Sequence, residues 1–430
     1  MPPQTTNETS NNAPTCSTRA ATALTLVAAF LSAALGMWLH HIALYLTSDP
    51  LIGGLGIPPT HAAWTTGLGA FIGVAAAPLL AGQLPDRLLK PGIVLGVVLL
   101  IAGVLRVATA HAPTHETILV LTILSSIFLM SGASLLFSIT LDMLSPKSFS
   151  IILAVCCASW WLGVWAFDVI HLRTPGGWHA AFPFYAGDRI PTAPALCHEV
   201  STVSGILALI AGVLTLALVR TPRPKRDFDH PLSFIVAIGA LLRPSVVRTL
   251  FSSTITLAAA WATWIHWSTA SAAAGLSADR VGLLTLIATL AAGIALIATR
   301  TLRHTALVAA GLLTLGFVLL WWSIGTAANW GVQAGALALI TTGAMFALRA
   351  ALTTVHEAAP ADAGHAAIAL ACVALLGLAP IAASMVSGRL VAWATSLSMG
   401  VHGEWLILAA ACLGAGATAF GTVSRRRTMP

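Results

Sequence analysis

Apolar runs of spanning length recur along the whole chain, separated by short polar or charged stretches. A helix needs about twenty apolar residues to cross the hydrocarbon core of a bilayer. The pattern therefore predicts about twelve transmembrane helices in two sets of six, with a bend expected near Pro380 in the eleventh. The runs cover residues 20–46, 62–83, 91–110, 117–141, 149–170 and 200–219, and then 249–271, 279–299, 304–325, 331–353, 364–395 and 403–423.

The runs are rich in Ala, Leu, Gly and Val and show no alternation of polar and apolar residues. Strands of membrane β-barrels alternate over segments of about ten residues, so the pattern favours helices. Composition agrees, because 57% of the 430 residues are hydrophobic, 8% are charged and the mean hydropathy is +0.89. Soluble domains have about 25% charged residues. We therefore expect an all-α polytopic membrane protein built from two pseudo-symmetric six-helix bundles.

Polar and charged stretches divide the chain further. The apolar run 232–242 is too short to span, so we expect it to lie on the membrane surface. If it spans, the number of spans is odd and the C-terminus changes side. The predicted organisation is a disordered cytoplasmic tail (1–19), an N-terminal six-helix bundle (20–219), a cytoplasmic central loop with a surface helix (220–248), a C-terminal six-helix bundle (249–423) and a basic cytoplasmic tail (424–430).

Basic residues concentrate in the connections on one side of the predicted spans, whereas the other side has clearly only Arg173 and Arg189. Cytoplasmic loops are enriched in Lys and Arg, so we expect a multi-pass protein of the bacterial cytoplasmic (inner) membrane with both termini cytoplasmic. The net charge of +7 then reflects anchoring, and no nucleic-acid partner is expected. The predicted cytoplasmic cations are Arg19, Arg87, Lys90, Lys147, Arg220, Arg223, Lys225, Arg226, Arg243, Arg248, Arg300, Arg303, Arg425, Arg426 and Arg427.

The two sets of runs resemble each other at short segments. Residues 37–41 (Met-Trp-Leu-His-His) in the first span align with residues 263–267 (Thr-Trp-Ile-His-Trp) in the seventh. Residues 131–133 (Ser-Gly-Ala) in the fourth align with residues 342–344 (Thr-Gly-Ala) in the tenth. Parallel repeats of this kind occur in transporters whose substrate lies between the halves, near the bilayer midplane.

The connection between the second and third spans carries a recognisable motif. Residues 82–90 read Gly-Gln-Leu-Pro-Asp-Arg-Leu-Leu-Lys. This segment resembles the signature loop of the major facilitator superfamily, Gly-x-Leu-x-Asp-Arg-x-Gly-Arg, with Leu89 at the usual Gly and Lys90 at the final Arg. Gly177, Trp178 and Phe182 resemble the Gly-Trp-Arg-x-x-Phe pattern of the same family. The resemblance covers essentially the whole chain in span number, central loop and repeat, and implies the major facilitator fold and secondary transport.

The motif predicts a conformational latch between the halves. A short turn is able to hold Asp86 against the positive amino-terminal end of a neighbouring helix. Lys90 is able to pair with Asp142 at the end of the fourth span. The resemblance implies latch roles for Gly82, Asp86, Arg87, Lys90 and Asp142. The alternative is that these charges only set the topology.

Ionisable and aromatic residues within the spans are candidates for contacts with substrate or protons, because polar groups in a membrane are costly. The resemblance implies that the first and seventh spans line a central cavity. Histidine changes charge near neutral pH and suits either role. The alternative is packing, an interfacial belt, or snorkelling of the arginine. The candidates are Trp38, His41 and Tyr45 on one helical face, Trp161 in the fifth span, Trp264, His266 and Trp267 in the seventh, and Arg349 in the tenth.

Other kinds of chemistry lack support in the sequence. His40, His41 and His266 have no Asp, Glu or Cys at useful spacing, so no metal site is expected. No phosphate-binding Gly-rich loop is present, so transport must use an ion gradient or the substrate gradient. We expect no enzymatic activity and no cofactor.

The direction of transport is the least determined expectation. Residues 56–64, ending in Trp64, resemble the drug:proton antiporter branch, although that branch usually has more spans. Residues 160–168 lack the Gly-x-x-x-Gly-Pro-x-x-Gly-Gly stretch of many exporters. We expect proton-coupled export of hydrophobic or aromatic small organic compounds. The alternatives are an uptake permease for an organic acid, with Arg349 as the anion partner, and a non-transporting sensor or scaffold. The expected partners are a small-molecule substrate, protons and the lipid bilayer; a periplasmic adaptor is not identified.

Overall fold

All regular elements in the described part of the chain are helical. The computed structural model describes residues 18–47, 72, 75–87, 89–112, 115–172, 193–221, 233–273, 278–300, 302, 305–323, 330–360, 363–380, 382–383, 393–394, 396–398 and 402–426. Two π-helical turns cover Leu79–Gln83 and Val373–Leu378. The helices are α1 (Thr18–Thr47), α2 (Leu84–Arg87), α3 (Pro91–Ala110), α4 (His115–Met143), α5 (Pro146–Leu172), α6 (Ala193–Leu218), α7 (Ser233–Leu241), α8 (Pro244–Ala273), α9 (Ala278–Ala298), α10 (Thr305–Ser323), α11 (Trp330–Ala358), α12 (Gly364–Cys372) and α13 (Glu404–Arg426).

The helices follow the apolar runs closely. The predicted span 91–110 coincides with α3, and the other described long helices start and end within about seven residues of the predicted limits. Six helices of the described part are long and apolar enough to cross a membrane. Most of the predicted second span and the far part of the eleventh lie outside the described residues. The structure confirms an all-helical protein with several membrane spans.

The short apolar run after the central loop forms its own helix. The axis of α7 is bent by 81° from the Pro244–Thr263 part of α8. Proline lacks an amide hydrogen, so Pro244 suits the first turn of α8 and ends the hydrogen-bond ladder of α7. Ser233, Ala237 and Ala240 form the buried face of α7, whereas Ile235 is 59% exposed. A position of α7 on the membrane surface stays a prediction.

The buried apolar side chains form two clusters that follow the order of the chain. The first is built mainly from α1, α3, α4 and α6, and extends from Ala23 to Val219 with one residue of α12, Ala369. The second is built mainly from α8 to α13, with additional side chains from α4 and α5. This arrangement agrees with two helical halves, while the exact domain limits stay predictions.

Small residues allow close helix packing within each half. A Cβ atom on Gly103 of α3 would lie 2.8 Å from the carbonyl oxygen of Gly205 in α6, and the reverse distance is also 2.8 Å. In the second half, a Cβ on Gly343 of α11 would lie 2.9 Å from the carbonyl oxygen of Ala309 in α10. Lipid provides no hydrophobic drive between helices, so backbone approach at small residues stabilises such pairs.

Candidate functional site

The Asp86 carboxylate lies against the amino-terminal end of α12. Oδ1 accepts a hydrogen bond from the His365 backbone N–H (3.2 Å), and Oδ2 accepts one from the Ala366 backbone N–H (3.0 Å). The first N–H groups of a helix have no intrahelical acceptor and form its positive end. The structure therefore places Asp86 where the motif predicted it, and the contact joins the first half of the chain to the second. We call this side of the helical bundle the Asp86 end.

Burial changes the acidity of this carboxyl group. Asp86 is only 6% exposed, and loss of hydration raises the pKa of Asp86 to about 7. The backbone N–H groups of Ala366 and His365 oppose this rise, and the nearby charge of Asp142 adds to it. With this pKa, the carboxyl group of Asp86 is able to take up or release a proton near neutral pH while it contacts α12.

Gly82 allows α12 to approach this closely. A Cβ atom at residue 82 would lie 2.6 Å from the Cα of Ala366, well inside van der Waals contact. The π-helical turn that contains Gly82 continues directly into α2, and π turns often occur at functional sites. In the same turn, the Gln83 Oε1 accepts a hydrogen bond from the Ser233 hydroxyl at 2.9 Å. Helix α7 thus contacts the Asp86 end as well.

Asp142 has different partners from the predicted one. Within the described residues no ion pair joins Lys90 to Asp142, and that contact stays a prediction. Asp142 Oδ1 lies 3.6 Å from His356 Nδ1 in α11, and Oδ2 lies 3.5 Å from His365 Nδ1 in α12. Lys90 precedes α3 as its N-cap residue, and the Lys90 carbonyl accepts the backbone N–H groups of Ile93 and Val94.

His365 links the two halves through its side chain as well as its backbone. Its Nδ1 is hydrogen-bonded to the Ser138 hydroxyl, one helical turn before Asp142 on α4. Sequence reasoning missed both His356 and His365. The available signal was that His356 lies in the connection between the tenth and eleventh runs and His365 at the start of the eleventh, both on the predicted side of Asp86.

These groups line one small open cleft. It contains two carboxylates, Asp86 and Asp142, and two imidazoles, His356 and His365. The imidazoles contact Asp142 directly, and in the part of the chain that the structure describes no three His, Cys, Asp or Glu side chains are placed to hold a metal ion. The arrangement is suited to hold the halves together and to bind protons. The other lining residues are Ala359, Pro360 and Gly364.

The two best described tryptophan candidates lie in packed surroundings. Trp38 is 1% exposed in the first apolar cluster, and Trp267 is 2% exposed in the second. Neighbouring side chains cover both rings in this arrangement, and contact of either ring with substrate stays a prediction. Neither indole Nε1 has a hydrogen-bond acceptor among the described residues. A buried donor without an acceptor is costly, so each N–H group would gain from an acceptor that reaches it when the helices rearrange.

The remaining candidates are only partly described. Trp161 is partly buried on α5. The side chain of Arg87 lies outside the description, although its backbone belongs to α2. The same holds for four cavity candidates, whose backbones belong to α1 and α8: His41, Tyr45, Trp264 and His266.

Arg349 has a structural position that argues against a role as anion partner. Its guanidinium donates to the carbonyl oxygens of Thr299 (3.4 Å) and Arg300 (2.7 Å), just after the end of α9. Cationic side chains stabilise the carbonyl end of a helix. These contacts engage both terminal nitrogens in this arrangement, and a substrate role of Arg349 stays a prediction.

Aromatic rings also join the halves away from the Asp86 end. Trp160 of α5 and Trp261 of α8 are in edge-to-face contact, with ring centroids 6.2 Å apart. This geometry is favourable for aromatic pairs. The contact lies near the middle of both helices, so the halves touch at more than one depth.

The fold is shared with solved transporters over nearly the whole chain. The human organic anion transporter MFSD10 (TETRAN) matches with a TM-score of 0.66 and 16% identity, covering 93% of this chain and 99% of that one. The POT family transporter PepTSo matches with a TM-score of 0.66 and 14% identity, and the match covers 96% of this chain and 99% of that one. The major facilitator superfamily proton:xylose symporter XylE matches with a TM-score of 0.66 and 11% identity, and the match covers 94% of this chain and 95% of that one.

No protein-family model matches the chain, and no curated protein matches it. At these identities the likeness concerns the fold. The chain is an all-helical, multi-span membrane protein with the fold of major facilitator superfamily transporters.

Proposed function

We propose that this protein is a secondary active transporter that works by alternating access and exports hydrophobic or aromatic small organic compounds in exchange for protons. The observation that supports this most is the contact of Asp86 with the amino end of α12. It joins elements far apart in sequence through hydrogen bonds that are able to break and reform. A bundle whose halves meet at a reversible contact is suited to open on alternate sides of a central site.

The contact defines one access state. With Asp86 and Gly82 against α12, and Asp142 against two imidazoles, the Asp86 end is closed. The concentration of basic residues in the loops supports a cytoplasmic position of this end. The arrangement is then the state closed to the cytoplasm, and transport requires these contacts to break.

Proton coupling is supported by the chemistry of the same end. Burial raises the pKa of Asp86 to about 7, so this carboxyl group gains and loses protons in the physiological range. Because an exposed aspartate has an ordinary pKa of 3.8, opening the contact releases a proton.

The substrate class rests on the sequence and on the buried indoles. The drug:proton antiporter branch is proposed from residues 56–64, which lie outside the described residues. The solved structures are named for an organic anion, a sugar and other transport functions, so the fold alone selects no substrate. Uptake of an organic acid is the weaker alternative, because Arg349, its proposed anion partner, is bound to backbone carbonyls.

Everted membrane vesicles with an imposed pH gradient test the function. Lipophilic dyes and organic acids are added in turn, and proton movement and compound uptake are followed. If the protein exports dyes, dye should accumulate in the vesicles while the pH gradient is lost. Vesicles without the protein should show neither effect. Proton movement that depends only on organic acids, and that is seen in vesicles of the opposite orientation, would support uptake instead. A complete lack of response to both panels would contradict the proposal.

Replacing Trp38 with Phe tests the role of a buried indole. Phenylalanine keeps an aromatic ring but removes the N–H donor, so a substrate that accepts this hydrogen bond should bind about two- to tenfold more weakly. The expected result is a raised KM for dye transport with little change in kcat.

Trp405→Phe is the matched control. Trp405 is 0% exposed, its Nε1 also has no acceptor within the described residues, and its ring stacks on Phe317 in the second cluster. If Trp405→Phe raises KM as much as Trp38→Phe does, the effect comes from loosened packing, and the substrate role of Trp38 is refuted.

A further inference from the structure

The Asp142 carboxylate and the His356 imidazole lie within ion-pair distance of each other, between the two halves and at the exposed rim of the cleft. Asp142 lies near the end of α4, and His356 lies in the last turn of α11. The side chains are 42% and 32% exposed, and the Oδ1–Nδ1 distance is 3.6 Å. Both groups are thus in contact with each other and accessible to solvent.

We propose that Asp142 and His356 are a regulatory proton-binding site that favours closure of the Asp86 end when His356 is protonated. The proposal rests on the proposed function, since it concerns one of the two access states. The ligand is a proton from the aqueous phase on that side. The sequence motif assigns no such role to His356.

The charge of His356 decides whether this contact is attractive. Histidine changes its charge between pH 5 and pH 8. The protonated imidazole attracts the Asp142 carboxylate, and it also lies at the carbonyl end of α11, where a positive charge is stabilised. The neutral imidazole lacks the positive charge that strengthens both interactions. Acidification should therefore strengthen the contact between α4 and α11, and alkalinisation should weaken it.

The surrounding titratable groups are few in the described part of the chain. Asp86 faces the cleft from α2, and His365 faces it from α12. Glu357 follows His356 on α11 but is exposed. The described residues of α7 and of the turn Leu79–Gln83 add no titratable group. Other elements packed against α4 or α11 add cations, which lysine and arginine keep at both pH 5.5 and pH 8: Arg19 of α1, Lys147 of α5, Arg248 of α8 and Arg300 after α9. His365 is 8% exposed and bonded to Ser138, whereas His356 is in direct contact with water.

Asp86 adds a pH response of the same sign. Its pKa is raised in the closed contact, so the protonated carboxyl favours closure, and this contribution is lost as pH rises towards 7. The response of His356 must therefore be separated from that of Asp86 by its own variants. His356→Lys keeps a positive charge at all relevant pH values, and His356→Gln removes the charge.

Cysteine labelling reports the open fraction. The Cys372 thiol of α12 contacts Ser134 of α4 and is 2% exposed, so a maleimide reaches it only when the halves separate. The other five cysteines are replaced by Ala or Ser. Labelling rates are compared between variants at the same pH, because the reactivity of the thiol then cancels. The three proteins are the parent, His356→Gln and His356→Lys, at pH 5.5 and pH 8.

A crossed pattern is expected. At pH 5.5, His356→Gln should label up to about fivefold faster than the parent, since half-exposed ion pairs are weak, while His356→Lys matches the parent. At pH 8, His356→Lys should label several-fold more slowly, while His356→Gln matches the parent. Matching at one pH shows that each variant is folded. In an Asp142→Asn background both differences should disappear.

Two results would overturn the proposal. The first is a ratio of variant to parental labelling rate that is the same at pH 5.5 and pH 8. The second is a difference between the His356 variants and the parent that persists in the Asp142→Asn background. The vesicle assay keeps this separate from the proposed function. Normal dye export without the crossed pattern removes only the regulatory site. The crossed pattern without transport of any compound retains the site and removes the transport proposal.

Discussion

Replacing Asp86 with Ala should lower transport at least tenfold and leave the Asp86 end mostly open. The change removes both acceptors for the N–H groups of His365 and Ala366, at the otherwise unsatisfied end of α12. Hydrogen bonds to a charged group contribute about 1.5–3 kcal/mol, and each tenfold change in an equilibrium corresponds to about 1.4 kcal/mol. The measurement is the initial rate of dye transport together with the labelling rate of Cys372.

Asp86→Asn separates the hydrogen bonds from the charge. Asparagine resembles the protonated carboxyl, because it keeps one acceptor oxygen and carries no charge. The raised pKa of Asp86 means that closure takes up a proton between pH 3.8 and about 7. In the parent, the closed fraction should therefore fall as pH rises through this window, by at most tenfold per pH unit, and level off above about 7. In Asp86→Asn this slope should become shallower, and only the part due to His356 should remain.

For each of the two Asp86 variants, one result would contradict the proposed latch. An Asp86→Ala protein with parental transport and a buried Cys372 would show that the contact does not latch the halves. The labelling rate of Asp86→Asn, divided by the parental rate at the same pH, should fall between pH 5 and pH 7; an equal ratio at both pH values would show that the proton does not belong to Asp86. A thermal unfolding scan of both purified proteins excludes a folding defect.

Much of the fold and one half of the site could be predicted because their causes are local. A span requires only an uninterrupted apolar stretch, so α3 and the other long helices were readable from composition along the chain. Asp86 was predictable for a similar reason. A carboxylate in a short turn favours a helix amino end, and this preference is independent of which helix supplies it.

The partners of Asp142 were not predictable in this way. The pairing of Asp142 with His356 and His365 depends on which helix ends meet across more than two hundred residues of sequence. When nearly every face of a helix is apolar, the periodicity of apolar residues does not show which helix ends are in contact. Lys90 was closer in sequence, but it lies at the start of α3, where its backbone serves as the cap.

The cavity candidates show the limit of reasoning from residue type. Trp38 and Trp267 were chosen as aromatic groups in cavity-lining spans, yet both rings are enclosed in the apolar clusters. Arg349 was chosen as a charge within a span, and the carbonyl end of α9 satisfies it. A buried polar residue needs a partner, but the sequence does not tell whether that partner is substrate or backbone.

Gly82→Ala should open the Asp86 end by steric force alone. Alanine favours helical backbone over glycine, so without tertiary contacts the change would be stabilising. Here the added Cβ would lie 2.6 Å from the Cα of Ala366 and 3.2 Å from its backbone nitrogen. Overpacking of this kind costs about 1–3 kcal/mol, and only the closed state contains the contact. Transport should fall about five- to a hundredfold, and Cys372 should label correspondingly faster.

The steric origin distinguishes this effect from loss of the Asp86 hydrogen bonds. Opening by Gly82→Ala should be similar at pH 5.5 and pH 8 relative to the parent, since no titrating group is changed. Ala366→Gly should not restore closure, because the nearest atom belongs to the backbone of residue 366. Gly311→Ala in α10, where nothing lies within 4 Å of the new Cβ, should keep parental rates. Equal losses in Gly82→Ala and Gly311→Ala would mean that helix flexibility, and not the approach of α12, sets the transport rate.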